Sequence, residues 1–208
     1  CQSEKMGACA PIASHRIPSL LCPRDIRDFI RLGGSDVSVI ESLKDVDLTL
    51  STDSRVLIIG TIGAGKSHMM RYLVNQADDI QAYSIDDFRR ECKASSESGE
   101  AAARQGFLRA CTEQNGVFEF TGGGPLHEGV KKITLSKPFD FIIRIHTPAE
   151  VCMERVSSRS DWPPYPNDLM PDLNLIDAIS NELDSHGFDT QSSDWKGQPL
   201  LHVWGVME

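Results

Sequence analysis

The sequence predicts an α/β protein: a parallel sheet with helices on both faces. Three observations carry that. The apolar run Val56-Leu57-Ile58-Ile59 leads directly into Gly60-Thr61-Ile62-Gly63-Ala64-Gly65-Lys66-Ser67, and a helical pattern follows at once. Strand, glycine-rich turn and helix in that order form a P-loop, a phosphate cradle. Beyond it, strand-like apolar runs alternate with helix-like stripes as far as residue 204, the pattern of a parallel sheet. Finally, the turns after the first four such runs carry most of the chemically useful residues. A parallel sheet gathers these turns at the carboxyl ends of its strands, where ligands bind.

The elements follow in order. Residues 1–22 are irregular, broken by Pro11 and Pro18. Pro23 opens a short amphipathic helix with Ile26, Phe29, Ile30 and Leu32, and Gly33-Gly34 stops it. Ser35 can cap a second helix through Leu43, which makes residues 1–50 a small helical appendage. The pair reads as a packed αα-hairpin rather than a DNA-binding helix-turn-helix. Val46, Leu48 and Leu50 alternate as a strand would.

Residues 51–208 form the main domain. Strand one begins at Val56, and helix one runs from Gly65 to about Asn75, burying Met69, Met70 and Leu73. Strand two covers Ile80 to Ile85, with Asp86-Asp87-Phe88-Arg89-Arg90 just past its end. Ser98 to Glu113 is a helix offering Ala101, Ala102, Phe107, Leu108 and Cys111 to the core. Val117 to Thr121 is strand three, ending in Gly122-Gly123-Gly124-Pro125, and Phe139 to Ile145 is strand four. Thr147-Pro148-Ala149-Glu150 reads as a capping box that opens a helix carrying Arg155 and Arg159 on one face. Trp162-Pro163-Pro164-Tyr165-Pro166 is a loop. Asp172 caps a helix with the stripe Leu175, Ile176, Ile179 and Leu183, and Gly187 ends it. Leu200 to Trp204 is the last strand.

Composition sets limits. The chain has 208 residues, 40% apolar and 25% charged, which suits one globular domain with a small appendage. A net charge of −9 argues against a general nucleic-acid surface. No run approaches the roughly 18 apolar residues that span a membrane. The first residues lack a secretory pattern, and reduced thiols in a cytoplasmic protein are the expectation for a chain with a phosphate cradle. The six cysteines show no Cys-x-x-Cys, and Cys1, Cys9, His15 and Cys22 match no common zinc spacing.

The chemistry follows from the turns. Gly60, Gly63 and Gly65 let the loop curl its N–H groups inward, toward phosphate. The backbone from Gly60 through Thr61, Ile62, Gly63, Ala64 and Gly65 to Lys66 and Ser67 is thus the nucleotide-binding segment. Lys66 supplies charge to the β- and γ-phosphates, and Ser67 can hold Mg2+. Of Asp86 and Asp87, one can orient or deprotonate an acceptor hydroxyl, while the other binds the acceptor or holds the water shell of Mg2+. Asp86 is assigned the catalytic and metal roles and Asp87 the acceptor. Arg89 is either an acceptor clamp or a surface charge. Gly122, Gly123 and Gly124 leave backbone open to substrate. Thr121 can touch the metal or its water. Glu119 either faces a polar pocket or sits in a structural pairing. Arg155 and Arg159 can stabilise charge on the transferred phosphoryl group, or form an exposed pair. His146, at a strand end, reads as a structural histidine rather than a base, and Trp162 and Tyr165 either cover nucleotide or acceptor or pack under the loop.

These residues together resemble the small P-loop kinases of the nucleoside monophosphate kinase and shikimate kinase superfamily, over residues 55–208. Gly60 to Ser67 matches their P-loop. Ser84-Ile85-Asp86-Asp87-Phe88 looks like the acidic strand-two end of shikimate, gluconate and uridine kinases, although shikimate kinases space the acids by one residue. Thr121-Gly122-Gly123-Gly124 is similar to the glycine stretch shikimate kinases use against their acceptor. Thr147 through Arg159 looks like the strand-four exit and lid arginines of the group. The resemblance implies a P-loop NTPase fold with five parallel strands in the order 2-3-1-4-5. It implies ATP with Mg2+ as donor and a small-molecule hydroxyl or phosphate as acceptor. Arg89, Arg104 and Arg109 are candidates to clamp an acceptor carboxylate. Two alternatives stand beside it: a nucleotide-dependent switch docking a protein partner through residues 1–50, and a zeta-toxin-like or polynucleotide-end kinase.

Overall fold

The structure is a computed structural model that describes residues 38–40, 48–77, 79–164, 172–186 and 200–204. Six strands alternate with six helices in the described residues. Strand β1 is Ser38–Ile40, and β2, Arg55–Ile59, leads through the glycine loop into α1, Lys66–Asn75. β3, Ala82–Ser84, is followed by α2, Ile85–Cys92, and α3, Glu97–Glu113. β4, Gly116–Glu119, leads to α4, Pro125–Ser136. β5, Phe141–His146, leads to α5, Ala149–Ser157; α6, Leu173–Ser185, and β6, Leu200–Trp204, complete the series.

All pairings are parallel, and the sheet runs β1-β6-β5-β2-β4-β3. Counted from the P-loop strand, the five strands other than β1 follow the expected order 2-3-1-4-5. The sixth strand is a correction. Ser38–Ile40 is a strand paired to β6, where a helix over 35–43 was predicted. β-branched Val39 and Ile40 suit a strand, and the edge of β6 offers unpaired backbone groups. The remainder of the predicted hairpin, Val46, Tyr165 and Gly187 lie outside the described residues. Leu48 and Leu50 belong to no strand, yet Leu48 is buried and Leu50 packs on the core.

Alternation along β2 explains the two-sided core. Val56 and Ile58 face one side, where they meet Met69 and Leu73 of α1 and Cys152 of α5. Leu57 and Ile59 face the other, with Phe107 and Cys111 of α3 and Leu126 and Val130 of α4. Successive side chains of a strand point to opposite faces, so a fully apolar run requires cover on both. Helix α6 touches both clusters, Ile176 with the first and Leu183 with the second.

Several boundaries move. Strand two ends at Ser84 because that hydroxyl accepts the Asp86 N–H at 3.2 Å and caps α2. Asp86 and Asp87 therefore sit in the first turn of a helix. In α3 the buried small residues are Ala103 and Ala110, while Ala101 and Ala102 are exposed. Helix α4 adds to the expected elements, and Pro125 at its start and the spacing of Leu126, Val130 and Thr134 mark it. The Thr147 capping box does not form: its hydroxyl donates to the Ala64 carbonyl at 3.0 Å and ties α5 to the P-loop. Arg159 lies beyond the end of α5, although it lines the same cavity as Arg155.

Candidate active site

The glycine loop closes over the start of α1. Gly63 has φ 82, a left-handed conformation, and a Cβ there would stand 2.5 Å from the Cys152 carbonyl oxygen. The loop rests this tightly on α5. Arg155 reinforces the contact by donating to the Gly63 carbonyl at 3.3 Å, and Thr61 Oγ1 lies 3.4 Å from Cys152 Sγ. The first N–H groups of α1 have no acceptor within the helix and open on the loop's concavity. Lys66 Nζ donates to the Thr61 carbonyl at 2.9 Å. Burial pushes the Lys66 ammonium below its ordinary range, against the pull of Glu119 and Asp86.

Ser67 reveals a residue whose role the sequence left open. Its hydroxyl donates to Glu119 Oε1 at 2.9 Å, and Ser84 donates to the same oxygen at 2.6 Å. Glu119 ends β4 and is 3% exposed. Among the described residues its second oxygen, Oε2, is buried without a hydrogen-bond partner. Such an orphaned carboxylate oxygen beside the P-loop serine fits a hard divalent cation.

Across from the loop, Arg89 donates to Glu100 through two nitrogens, at 2.9 and 2.8 Å, and to Asp86 at 3.0 Å. Arg104 donates to Glu100 at 2.9 Å. Burial alone would raise the Glu100 carboxyl, but the bonds and charges of Arg89 and Arg104 hold it below its usual value. A buried glutamate thus fixes two guanidinium groups on one wall.

A cavity of about 340 Å3 joins the two halves. Lys66, Ser67, Asp86, Arg89, Arg104, Glu119, Thr121, Arg155 and Arg159 all line it, with Ile62, Gly63 and Gly65 from the loop. Gly60, Thr61 and Ala64 form the loop behind that surface. Arg159 sits over the Trp162 ring, 5.5 Å from its centroid. Asp87 is exposed and paired with Arg90 at 2.9 Å, away from the cavity lining. Arg109 is exposed and outside it as well. His146 pairs with His202 at 2.7 Å between β5 and β6.

The three glycines separate. Gly123 and Gly124 line the cavity, whereas Gly122 does not. Gly122 has φ 92, and a Cβ there would stand 2.4 Å from Leu183, so it allows α6 to pack close. The Gly124 N–H donates to Glu182 Oε1 at 2.7 Å. The sequence suggested open backbone here; a glutamate from α6 occupies it.

No protein-family model matches the sequence, and no curated protein matches it significantly. Solved structures are. A chain of the Pnkp1/Rnl/Hen1 RNA repair complex superposes with a TM-score of 0.51 at 16% identity, over 66% of this chain and 46% of that one. Shikimate kinase from Bacteroides thetaiotaomicron gives 0.48 at 14% identity, covering 71% and 85%. Deoxyadenosine kinase from M. mycoides with bound dATP gives 0.46 at 13%, covering 72% and 90%. At these identities the likeness concerns fold. The sheet order, the glycine loop and the likeness to the RNA repair chain establish the P-loop NTPase fold, the fold of the small kinases that residues 55–208 resemble.

Proposed function

We propose that this protein transfers the γ-phosphoryl group of a nucleoside triphosphate, ATP in the simplest case, to the hydroxyl of a small molecule. One observation carries the reading. A single cavity is lined by the P-loop Lys66 and Ser67 and also by a carboxylate, Asp86, flanked by Arg89 and Arg104. A donor cradle that opens on an acid with fixed cations beside it suits an acceptor as well as a nucleotide. A nucleotide switch has no need of the second half.

The P-loop amides and Lys66 hold the β- and γ-phosphates. Ser67 and Glu119 would hold Mg2+, and Glu119 takes the metal role foreseen for Asp86. When bound, the ion neutralises charge on the phosphate oxygens. Asp86 orients the acceptor hydroxyl and takes its proton as the new O–P bond forms and the nucleoside diphosphate leaves. Arg155 and Arg159 face the γ-phosphoryl oxygens, where charge develops. Arg89 and Arg104, whose charges are paired with Glu100 and Asp86, line the wall beside the acceptor hydroxyl.

The test is label transfer from γ-labelled ATP with Mg2+ and a fractionated metabolite extract. Lys66→Ala is the control and should lose at least about tenfold in rate, equivalent to about 1.4 kcal/mol. Tight nucleotide binding with no label reaching any metabolite would instead favour the switch, with residues 1–50 as its docking arm.

A further inference from the structure

We infer that Glu182 decides which acceptor enters the cavity. The acceptor must present a hydrogen-bond donor, a hydroxyl or a protonated amine, to this carboxylate, and an anionic group at that end is refused. The inference rests on the reading of the cavity as a phosphoryl-transfer site and names the acceptor class it selects.

Glu182 lines the cavity from α6. Its Oε1 accepts the Gly124 N–H at 2.7 Å, and its Oε2 lies 2.5 Å from where a Cβ of Gly123 would stand. Helix α4 begins at the next residue, Pro125. Amides at such a turn would otherwise attract an anion. The resident carboxylate takes the Gly124 N–H and reverses the sign of that wall. An ionised carboxylate accepts hydrogen bonds and cannot donate them.

The placement is built. His186 Nε2 lies 3.4 Å from Glu182 Oε1, and the His186 ring stacks on His127 at 3.6 Å with 9° between planes. His127 Nδ1 in turn lies 2.9 Å from the Gly122 carbonyl oxygen. The carboxylate is thus braced from both ends by the glycine turn it touches. Its side chain keeps 36% exposure. Leu126, Leu175 and Ile179 line the same cavity. Apolar lining of this kind lowers the local dielectric and sharpens discrimination by charge. The cations Arg89 and Arg104 are held elsewhere, by Glu100.

The test uses three six-carbon polyols that differ in one end group: glucamine, sorbitol and gluconate. Each is titrated calorimetrically into protein loaded with Mg2+ and a non-hydrolysable ATP analogue. The wild type should bind glucamine at least about tenfold more tightly than gluconate. Glu182→Gln retains an acceptor for the Gly124 N–H and removes the charge, so the ratio should contract to within about threefold. Glu182→Arg should reverse the order. Melting temperature and nucleotide affinity establish that both variants are folded. An unchanged ratio in Glu182→Gln, a wild-type preference for gluconate, or binding of none of the three overturns the inference. The same polyols with γ-labelled ATP separate the two claims. Charge selection with no label reaching any polyol or any fraction of the metabolite extract contradicts the phosphoryl-transfer reading while selection by Glu182 stands.

Discussion

Glu119 and Glu100 are buried carboxylates with opposite economies. Glu119 has one oxygen shared by two serines and one left without a partner among the described residues, an arrangement that suits a cation. Glu119→Gln should lower Mg2+-supported turnover roughly 10²-fold by removing that charge from the site. A metal titration of activity checks this, and an unshifted Mg2+ requirement contradicts it. Glu100 instead is saturated by Arg89 and Arg104, with side-chain exposures of 4%, 14% and 30%. Glu100→Gln leaves two arginines half-compensated and should cost roughly 3 kcal/mol of stability. Urea unfolding reads it directly, and a midpoint within error of wild type would show that solvent already screens the triad.

At the scale of elements, the P-loop is held by α5 as much as by its own glycines. Gly63→Ala would place a methyl group against the Cys152 backbone at a positive φ. Nucleotide affinity should fall by at least about tenfold, while the far-UV spectrum stays unchanged. Strands β5 and β6 carry the His146–His202 pair, and burial, then the charges of Arg144 and His202, push His146 down to about 3. The sign follows from proton uptake. Below pH 6.5 the unfolded chain binds a proton at this histidine that the folded chain refuses until about pH 3. This share of stability is therefore full above pH 6.5 and shrinks as pH falls toward 3. His146→Gln should lose stability with acid less steeply than wild type, as followed by melting temperature against pH. The elements legible in the sequence were those with local signals: the P-loop, helix one with Met69, Met70 and Leu73, and the Asp172 cap, whose carboxylate accepts the Leu175 N–H at 2.8 Å. The contacts that define the site are not local. Ser67 meets Glu119 across 52 residues, and Gly124 meets Glu182 across 58. Glu182 has no local mark that separates it from the other acids on a chain of net charge −9, and Glu119, though set in an apolar strand, carries no local sign that Ser67 meets it.

For the whole molecule, the parallel sheet explains why dispersed turns make one cavity, and β1 changes what the first fifty residues do. Ser38–Ile40 extends the sheet beyond β6, so removing residues 1–47 strips an edge strand. That deletion should lower the melting temperature and promote association through the bared edge of β6. Nucleotide binding should survive, because β5 separates β6 from the P-loop strand. Unaltered stability would assign β1 no share in holding the fold. No helix among the described residues is long and apolar enough to cross a membrane.

The central claim, that donor and acceptor meet in one cavity at Asp86, is tested most directly by separating binding from transfer in Asp86→Asn. Affinity for the ATP analogue is measured beside label transfer from γ-labelled ATP to the extract fraction that serves the wild type. Unchanged nucleotide affinity with transfer reduced at least about 10²-fold is expected for a general base at this position. Transfer at the wild-type rate would contradict it and would move the acceptor's reacting hydroxyl away from α2.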